Sequence, residues 1–201
     1  MSFQWPPEAN WYNSVEIVLL RHGKPALINK KWITSSALSQ WIDDYNAASL
    51  CHSSAPGEET LEHAIRAQVI VSSSLKRSID SAKALAPEKL IRSDQLFKEA
   101  ELPFAKLGAI PLPPTVWLTV YRLLWFCGYS ANAESYSETK KRSEIAAREL
   151  MQLAGSYRQV LFVGHGIFNR LLGKELSRTG WSCQARSGSG YWGVIVYTFN
   201  H

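Results

Sequence analysis

Apolar residues in this chain fall into short runs and periodic stripes that alternate along its length. The run 15–20, rich in β-branched residues, predicts a buried strand, and 68–72 and 159–163 repeat that pattern. A short strand near 89–92 and a last one over 191–199 complete the set. Between them, Leu38, Trp41, Ile42 and Tyr45 recur at helical spacing and predict a helix over 36–48. Ser74 is read as the cap of a helix reaching Ala86. A longer amphipathic helix is expected over 134–155, with Ile145, Leu150, Met151 and Leu153 on its inner side, and another over 166–177. Residues 115–127 are helical in length but apolar on most faces, which points to deep burial or to a pocket wall or lid. Residues 25–35, 49–60 and 178–190 read as loop, and 101–114, with four of the nine prolines, as non-regular. The first 14 residues read as an arm pinned by Trp5 and Trp11.

Strands alternating with helices predict an α/β fold, a three-layer α/β/α sandwich with a mostly parallel central sheet. No linker divides the 201 residues, so one domain is expected, with 101–133 as its substrate-pocket or lid segment.

Composition adds limits. At 46% hydrophobic and 19% charged, the chain is ordinary for a globular protein. The excess of 22 Lys+Arg over 17 Asp+Glu, a formal charge of +5, suits an anionic substrate. The longest basic run, Lys140-Lys141-Arg142, reads as a solvated helix face, so no nucleic-acid partner is expected. Cys51, Cys127 and Cys183 are odd in number and far apart, which argues against a disulfide framework. No signal-peptide pattern or stretch of about 18 apolar residues is found, so a cytoplasmic protein without a membrane partner is expected. Oligomeric state is not legible.

The chemistry gathers where predicted strands end. Arg21-His22-Gly23 follows the first: a guanidinium fork for phosphate oxygens, a nucleophilic nitrogen near neutral pH, and a residue that lets backbone approach a ligand. Gly164-His165-Gly166 stands between a strand and a helix, where backbone N–H groups favour an anion. Ser73-Ser74-Leu75-Lys76-Arg77 brings a second arginine to another strand-to-helix junction. Glu99 and Glu101 offer a carboxylic acid able to protonate a leaving alkoxide. Taken alone, each has a bland reading: a strand-end His22 satisfied by backbone, His165 in a Gly-flanked turn, Arg77 on a helix surface, an exposed acidic pair. Their order along one chain carries the signal.

Together they resemble the histidine phosphatase superfamily, or phosphoglycerate mutase-like fold. The resemblance runs from about Val15 to the final strand. It rests on Arg21-His22-Gly23, on Ser73, Leu75 and Arg77 with Ser81-Ala82 beyond, on the acid segment around Glu99, and on His165 with Arg170 five residues later. It implies that His22 becomes phosphohistidine, that Arg21, Arg77 and His165 hold the phosphoryl oxygens, and that Glu99, with Glu101 as the alternative, donates the proton. It implies a histidine acid-type phosphatase, a phosphoric monoester hydrolase acting on a small phosphorylated substrate, with no metal and no cofactor. Lys24 is a candidate substrate contact and Arg170 a structural residue bonding loop carbonyls.

The sequence also departs from the family. Lys24-Pro25 replaces the usual Glu/Gln-Thr/Ser, Ile28 stands where mutases tend to place Asn (Asn29 is one further), and the mutase Glu-Arg-His-Tyr segment is absent. These differences favour hydrolysis over a phosphoglycerate-type mutase. Lys24-Pro25 also keeps open a phosphate-recognising binding protein with a weakened site. Gly188-Ser189-Gly190-Tyr191-Trp192-Gly193 matches a dinucleotide fingerprint formally, but with no predicted strand before it and a strand after it the context fails. Cys51-His52 and His63 lack partners at metal-ligand spacing and read as loop or surface. Trp117, Tyr121 and Trp125 read as core, with a pocket lining as the alternative.

Overall fold

Strand β1, Ser14–Arg21, is buried along nearly its whole length because it lies inside a six-stranded sheet. The computed structural model describes residues 14–26, 31–105 and 109–200. The arm with Trp5 and Trp11 and the position of Ile28 lie outside them. After β1 come helices α1 (Leu38–Ala47) and α2 (Glu58–Arg66), strand β2 (Val69–Ser73), helix α3 (Lys76–Leu85) and strand β3 (Ile91–Asp94). Helices α4 (Pro114–Phe126) and α5 (Tyr136–Tyr157), strand β4 (Gln159–Gly164), helix α6 (Gly166–Arg178) and strands β5 (Ser182–Ser187) and β6 (Val194–Asn200) follow.

The sheet order is β3-β2-β4-β1-β6-β5. Four strands run parallel, and β6 and β5 add antiparallel pairs. Helices cover both faces, and strand residues alternate between them. Ile17, Leu19, Val71 and Phe162 pack with Ala146, Leu150, Phe168 and Leu172 of α5 and α6. Val18, Leu20, Ile70 and Leu161 pack with Ala64, Ala82 and Leu85 of α2 and α3. The order sets the carboxyl ends of β2, β4 and β1 side by side, where open α/β sheets bind ligands. None of the described helices is long and apolar enough to cross a membrane.

Several expectations need correction. The loop expected over 49–60 gives way to α2 from Glu58; its inner face is Thr60, His63 and Ala64, too polar to register as an apolar stripe. Glu58 and Glu59 at its start and His63 and Arg66 at its end suit the helix dipole. His63 is therefore buried, not a loop or surface residue, with its Nδ1 3.0 Å from Arg66 and 3.8 Å from Glu16. Residues 182–187, expected as polar loop, form β5, an exposed edge strand whose sequence needs no apolar alternation. A strand thus does precede the Gly188–Gly193 loop; a strand still follows it, so the dinucleotide context fails on that side. The cap of α3 is Leu75, not Ser74. The last strand starts at Val194, with 191–193 in the turn before it. Ile145 is half exposed, because α5 turns the small residues Thr139, Ser143, Ala146 and Ala147 inward and so lies close to its neighbours. Arg142 leaves the solvated face expected of it: it pairs with Glu134 at 2.7 Å and donates to the Leu96 and Lys98 carbonyls. Helix α4 is half-buried. Trp117, Tyr121 and Trp125 face inward, the first two against Leu38 of α1, while Leu123 and Phe126 face outward.

Candidate active site

At the end of β1 the chain places Arg21 and His22, at the end of β4 His165, and on the first turn of α3 Arg77. His22, Arg77 and His165 are 2%, 3% and 0% exposed. The two imidazole centroids lie 5.0 Å apart. His22 Nδ1 is 2.7 Å from the Gly23 carbonyl oxygen, and Arg77 Nε donates to His22 Nε2 at 3.2 Å. A guanidinium only donates, so Nε2 is the acceptor and the ring proton sits on Nδ1, given to Gly23. The Nε2 lone pair is thereby aimed at the arginine side. Burial, then the Arg77 charge, pushes the His22 pKa down to about 3, and the same two causes hold His165 well below the usual range. Both rings are neutral.

Neighbouring groups hold this geometry. Ser81 Oγ accepts from the Gly23 N–H at 2.9 Å and donates to the Arg77 carbonyl. A Cβ on Gly23 would sit 2.3 Å from the Trp192 ring, so only glycine lets that indole pack under the loop. Asn169 bridges two strand ends, accepting from His165 N and donating to the Leu20 carbonyl. Asn46 of α1 accepts from Arg77 at 2.9 Å, and Ser78 Oγ lies 3.2 Å from His165 Nε2. Asn46, Ser78 and Asn169 carried no signal of their own in the sequence. The spacing from Arg77 and His165 is what marks Ser78 and Asn169 in hindsight, as single-turn neighbours.

Three buried side-chain polar atoms among the described residues lack a hydrogen-bond partner: Arg21 Nε, His165 Nδ1 and Ser72 Oγ. Unsatisfied buried groups cost about 1–3 kcal/mol each. Two of the three belong to this site, and both are groups that an oxyanion satisfies.

The acidic pair is separated by the fold. Glu99 sits at the start of α6, accepting from Ile167 N at 3.2 Å and Phe168 N at 2.9 Å, and its charge acts on Arg77. Glu101 turns away and accepts from Glu134 N at 2.9 Å. Arg142 and Arg122 fix the segment by donating to carbonyls on either side of Glu99, those of Lys98 and Ala100. Lys24 has an exposed side chain; its N–H donates to Ser54, while Pro25 bridges to Leu50, so the missing proline donor is not needed. Arg170, expected to bond loop carbonyls, is exposed and makes no such bond among the described residues. It lines a cleft of about 700 Å³ that shares Arg21 and His165 but not His22 or Arg77.

The sequence profile of the histidine phosphatase superfamily (branch 1) matches residues 17–200. The chain belongs to the histidine phosphatase superfamily. Solved structures agree on the fold. A mycobacterial structure described as hydrolase 1 aligns at 18% identity and TM-score 0.59, covering 92% of both chains. A mycobacterial glucosyl-3-phosphoglycerate phosphatase aligns at 19% identity and TM-score 0.53, covering 82% of this chain and 80% of that one. A phosphoserine phosphatase from Entamoeba histolytica aligns at 14% identity and TM-score 0.53, covering 90% and 89%. None of the curated proteins compared with the chain matches it in sequence.

Proposed function

We propose that this histidine phosphatase superfamily member hydrolyses a small phosphomonoester through a phosphohistidine on His22. The observation that carries the reading is the state of His22: neutral, its proton held by Gly23, its Nε2 lone pair facing Arg77. In the first step Nε2 attacks phosphorus, the ester P–O bond breaks, and Glu99, having received the proton carried in by the phosphomonoester monoanion, passes it to the departing oxygen. In the second, water attacks phosphorus, the P–N bond breaks, and Glu99 takes the water proton. Arg21, Arg77 and His165 hold the phosphoryl oxygens, and two guanidinium groups supply the positive charge that phosphoryl transfer needs. Solved structures named for glucosyl-3-phosphoglycerate and phosphoserine phosphatases support a small phosphorylated substrate. An acid-type pH profile is part of the proposal, since His22 stays neutral down to about 3. So is cytoplasmic residence, which three free cysteines suit. Lys24, exposed beside the nucleophile, is retained as a substrate contact. The test is hydrolysis of an aryl phosphate by wild type beside His22→Ala. Loss of turnover in the variant is expected; equal rates overturn the reading, and phosphoglycerate isomerisation would replace hydrolysis with mutase activity.

A further inference from the structure

The cleft that borders the phosphoryl site is basic. On one side α6 contributes Arg170 and Lys174, four residues apart, and on the other β5 contributes Arg186. Leu19 of β1 and Ile195 of β6, paired in the sheet, give it an apolar lining between them. No Asp or Glu lines it. None of Arg170, Lys174 and Arg186 is in an ion pair among the described residues. Cations four residues apart on one helix repel each other, and no carboxylate in the lining offsets that repulsion. In a concave site, charges of one sign reinforce one another and draw in a counter-ion. The volume, about 700 Å³, falls within the roughly 300–1,000 Å³ of small-molecule sites.

Two features tie the cleft to the phosphoryl site. Arg21 lines it, and the same guanidinium is the one assigned above to a phosphoryl oxygen. Arg21 Nη1 also donates to the Ser189 carbonyl at 2.9 Å, and Gly188, Ser189 and Gly190 all line the cleft. An occupant therefore touches the loop that holds Arg21. Position 173 keeps the cleft's shape: a Cβ there would sit 2.4 Å from the Tyr197 hydroxyl oxygen, so a glycine in mid-helix lets α6 lie close over β6. His22, Arg77 and Glu99 do not line the cleft, so it is not the side on which the ester oxygen departs. It fits a separate ligand rather than the rest of the substrate.

We propose that this cleft is a second anion site, for a small ligand with two or more anionic groups held by Arg170, Lys174 and Arg186, and that its occupant weakens phosphate binding by sharing Arg21. The coupling rests on the phosphatase reading above; the cleft site does not. Two anions drawn to one guanidinium repel, and each lowers the other's affinity by the same factor. The probe is citrate, a tricarboxylate with no phosphoryl group to transfer, at matched ionic strength. Calorimetry is expected to show one citrate per wild-type chain. Binding should be at least about tenfold weaker in Lys174→Ala/Arg186→Ala, the size of one lost charge-assisted hydrogen bond. Citrate should raise KM for 4-nitrophenyl phosphate to a plateau about fivefold higher, the low end of such couplings, with kcat unchanged. The double variant should lose that response and keep its citrate-free kcat/KM. No citrate bound by the wild type, or equal binding in the double variant, overturns the cleft site. An unchanged KM overturns the coupling. A KM that climbs with citrate without a plateau overturns the second site, because citrate then occupies the phosphoryl site itself. Absence of turnover in the wild type overturns the phosphatase reading alone, and calorimetry still decides the cleft.

Discussion

Glu99→Gln separates the helix-capping task that the structure shows for this carboxylate from the general-acid task proposed for it. Glu99 Oε1 accepts from Phe168 N at 2.9 Å and Ala100 N at 3.0 Å, and Oε2 accepts from Ile167 N at 3.2 Å. Glutamine keeps one accepting oxygen but turns an NH2 group toward one of the helix N–H groups. It also removes the negative charge at the positive end of α6. Losing one charge-assisted bond and the dipole contribution costs roughly 2–3 kcal/mol. For a chain of this size that lowers Tm by about 4–12 °C. This stability loss is the same whatever the substrate. A general acid contributes about 10²–10⁴ to departure of an alkoxide and much less for 4-nitrophenolate, which leaves without help. The assay is kcat/KM, which stops at the first phosphoryl transfer, for an alkyl phosphate and for 4-nitrophenyl phosphate. We expect at least a hundredfold loss with the alkyl ester and less than about tenfold with the aryl ester. Equal losses would reduce Glu99 to a helix cap. A larger selective loss in Glu101→Gln, whose carboxylate accepts from Glu134 N, would move the acid to Glu101.

Three further outcomes follow from the same contacts. Gly23→Ala drives a methyl to 2.3 Å from the Trp192 ring and 2.6 Å from Leu50, and should lower stability in denaturant titration by about 1–3 kcal/mol, with activity lost beside it. Arg142→Ala removes the Glu134 pair and two bonds to the Leu96 and Lys98 carbonyls; we expect about 2 kcal/mol of destabilisation and a drop in kcat larger than the change in KM, since the Glu99 segment loosens while the phosphate ligands stay. His22 and His165 are neutral when folded but gain protons near pH 6.5 when unfolded, so the unfolded chain binds more protons below that pH. Stability should therefore be full above about pH 6.5 and fall as pH drops toward 3, with His22 contributing a loss of roughly 2 kcal/mol at about pH 5 and His165 a loss in the same direction; denaturation midpoints unchanged between about pH 7 and pH 5 would contradict it.

How much of this was legible in the sequence depends on what each segment buries. Strands β1, β2 and β4 sit in the middle of the sheet and each carries a run of apolar residues, so those runs announced them within a residue or so. With their ends came Arg21, His22, Arg77 and His165. Helix α2 hid because its inner face is Thr60, His63 and Ala64, and β5 because an edge strand with an exposed surface needs no alternation. The choice between Glu99 and Glu101 was open in the sequence: two carboxylates two residues apart look alike until the turn after Phe97 sends one to α6 and the other to Glu134. Tyr45 read only as one apolar position in a helix. Its place over Arg77 is a tertiary fact, set by where α1 crosses the end of the sheet. Tyr191 fell inside a glycine-rich stretch whose dinucleotide reading fails; the same glycines instead shape a loop at the mouth of the site. Lys24-Pro25, a departure from the family's habit, proves to be tied to the 49–54 segment through Ser54 and Leu50.

The measurement that bears most directly on the mechanism is the covalent intermediate. Wild-type protein is mixed with a ³²P-labelled phosphomonoester, quenched in alkali on the millisecond scale, and mapped by mass spectrometry. We expect label that survives alkali but not acid, approaching one phosphate per chain, on Nε2 of His22, and none in His22→Ala. Steady turnover without a trapped phosphoryl group, or label on any other residue, would contradict His22 as the nucleophile.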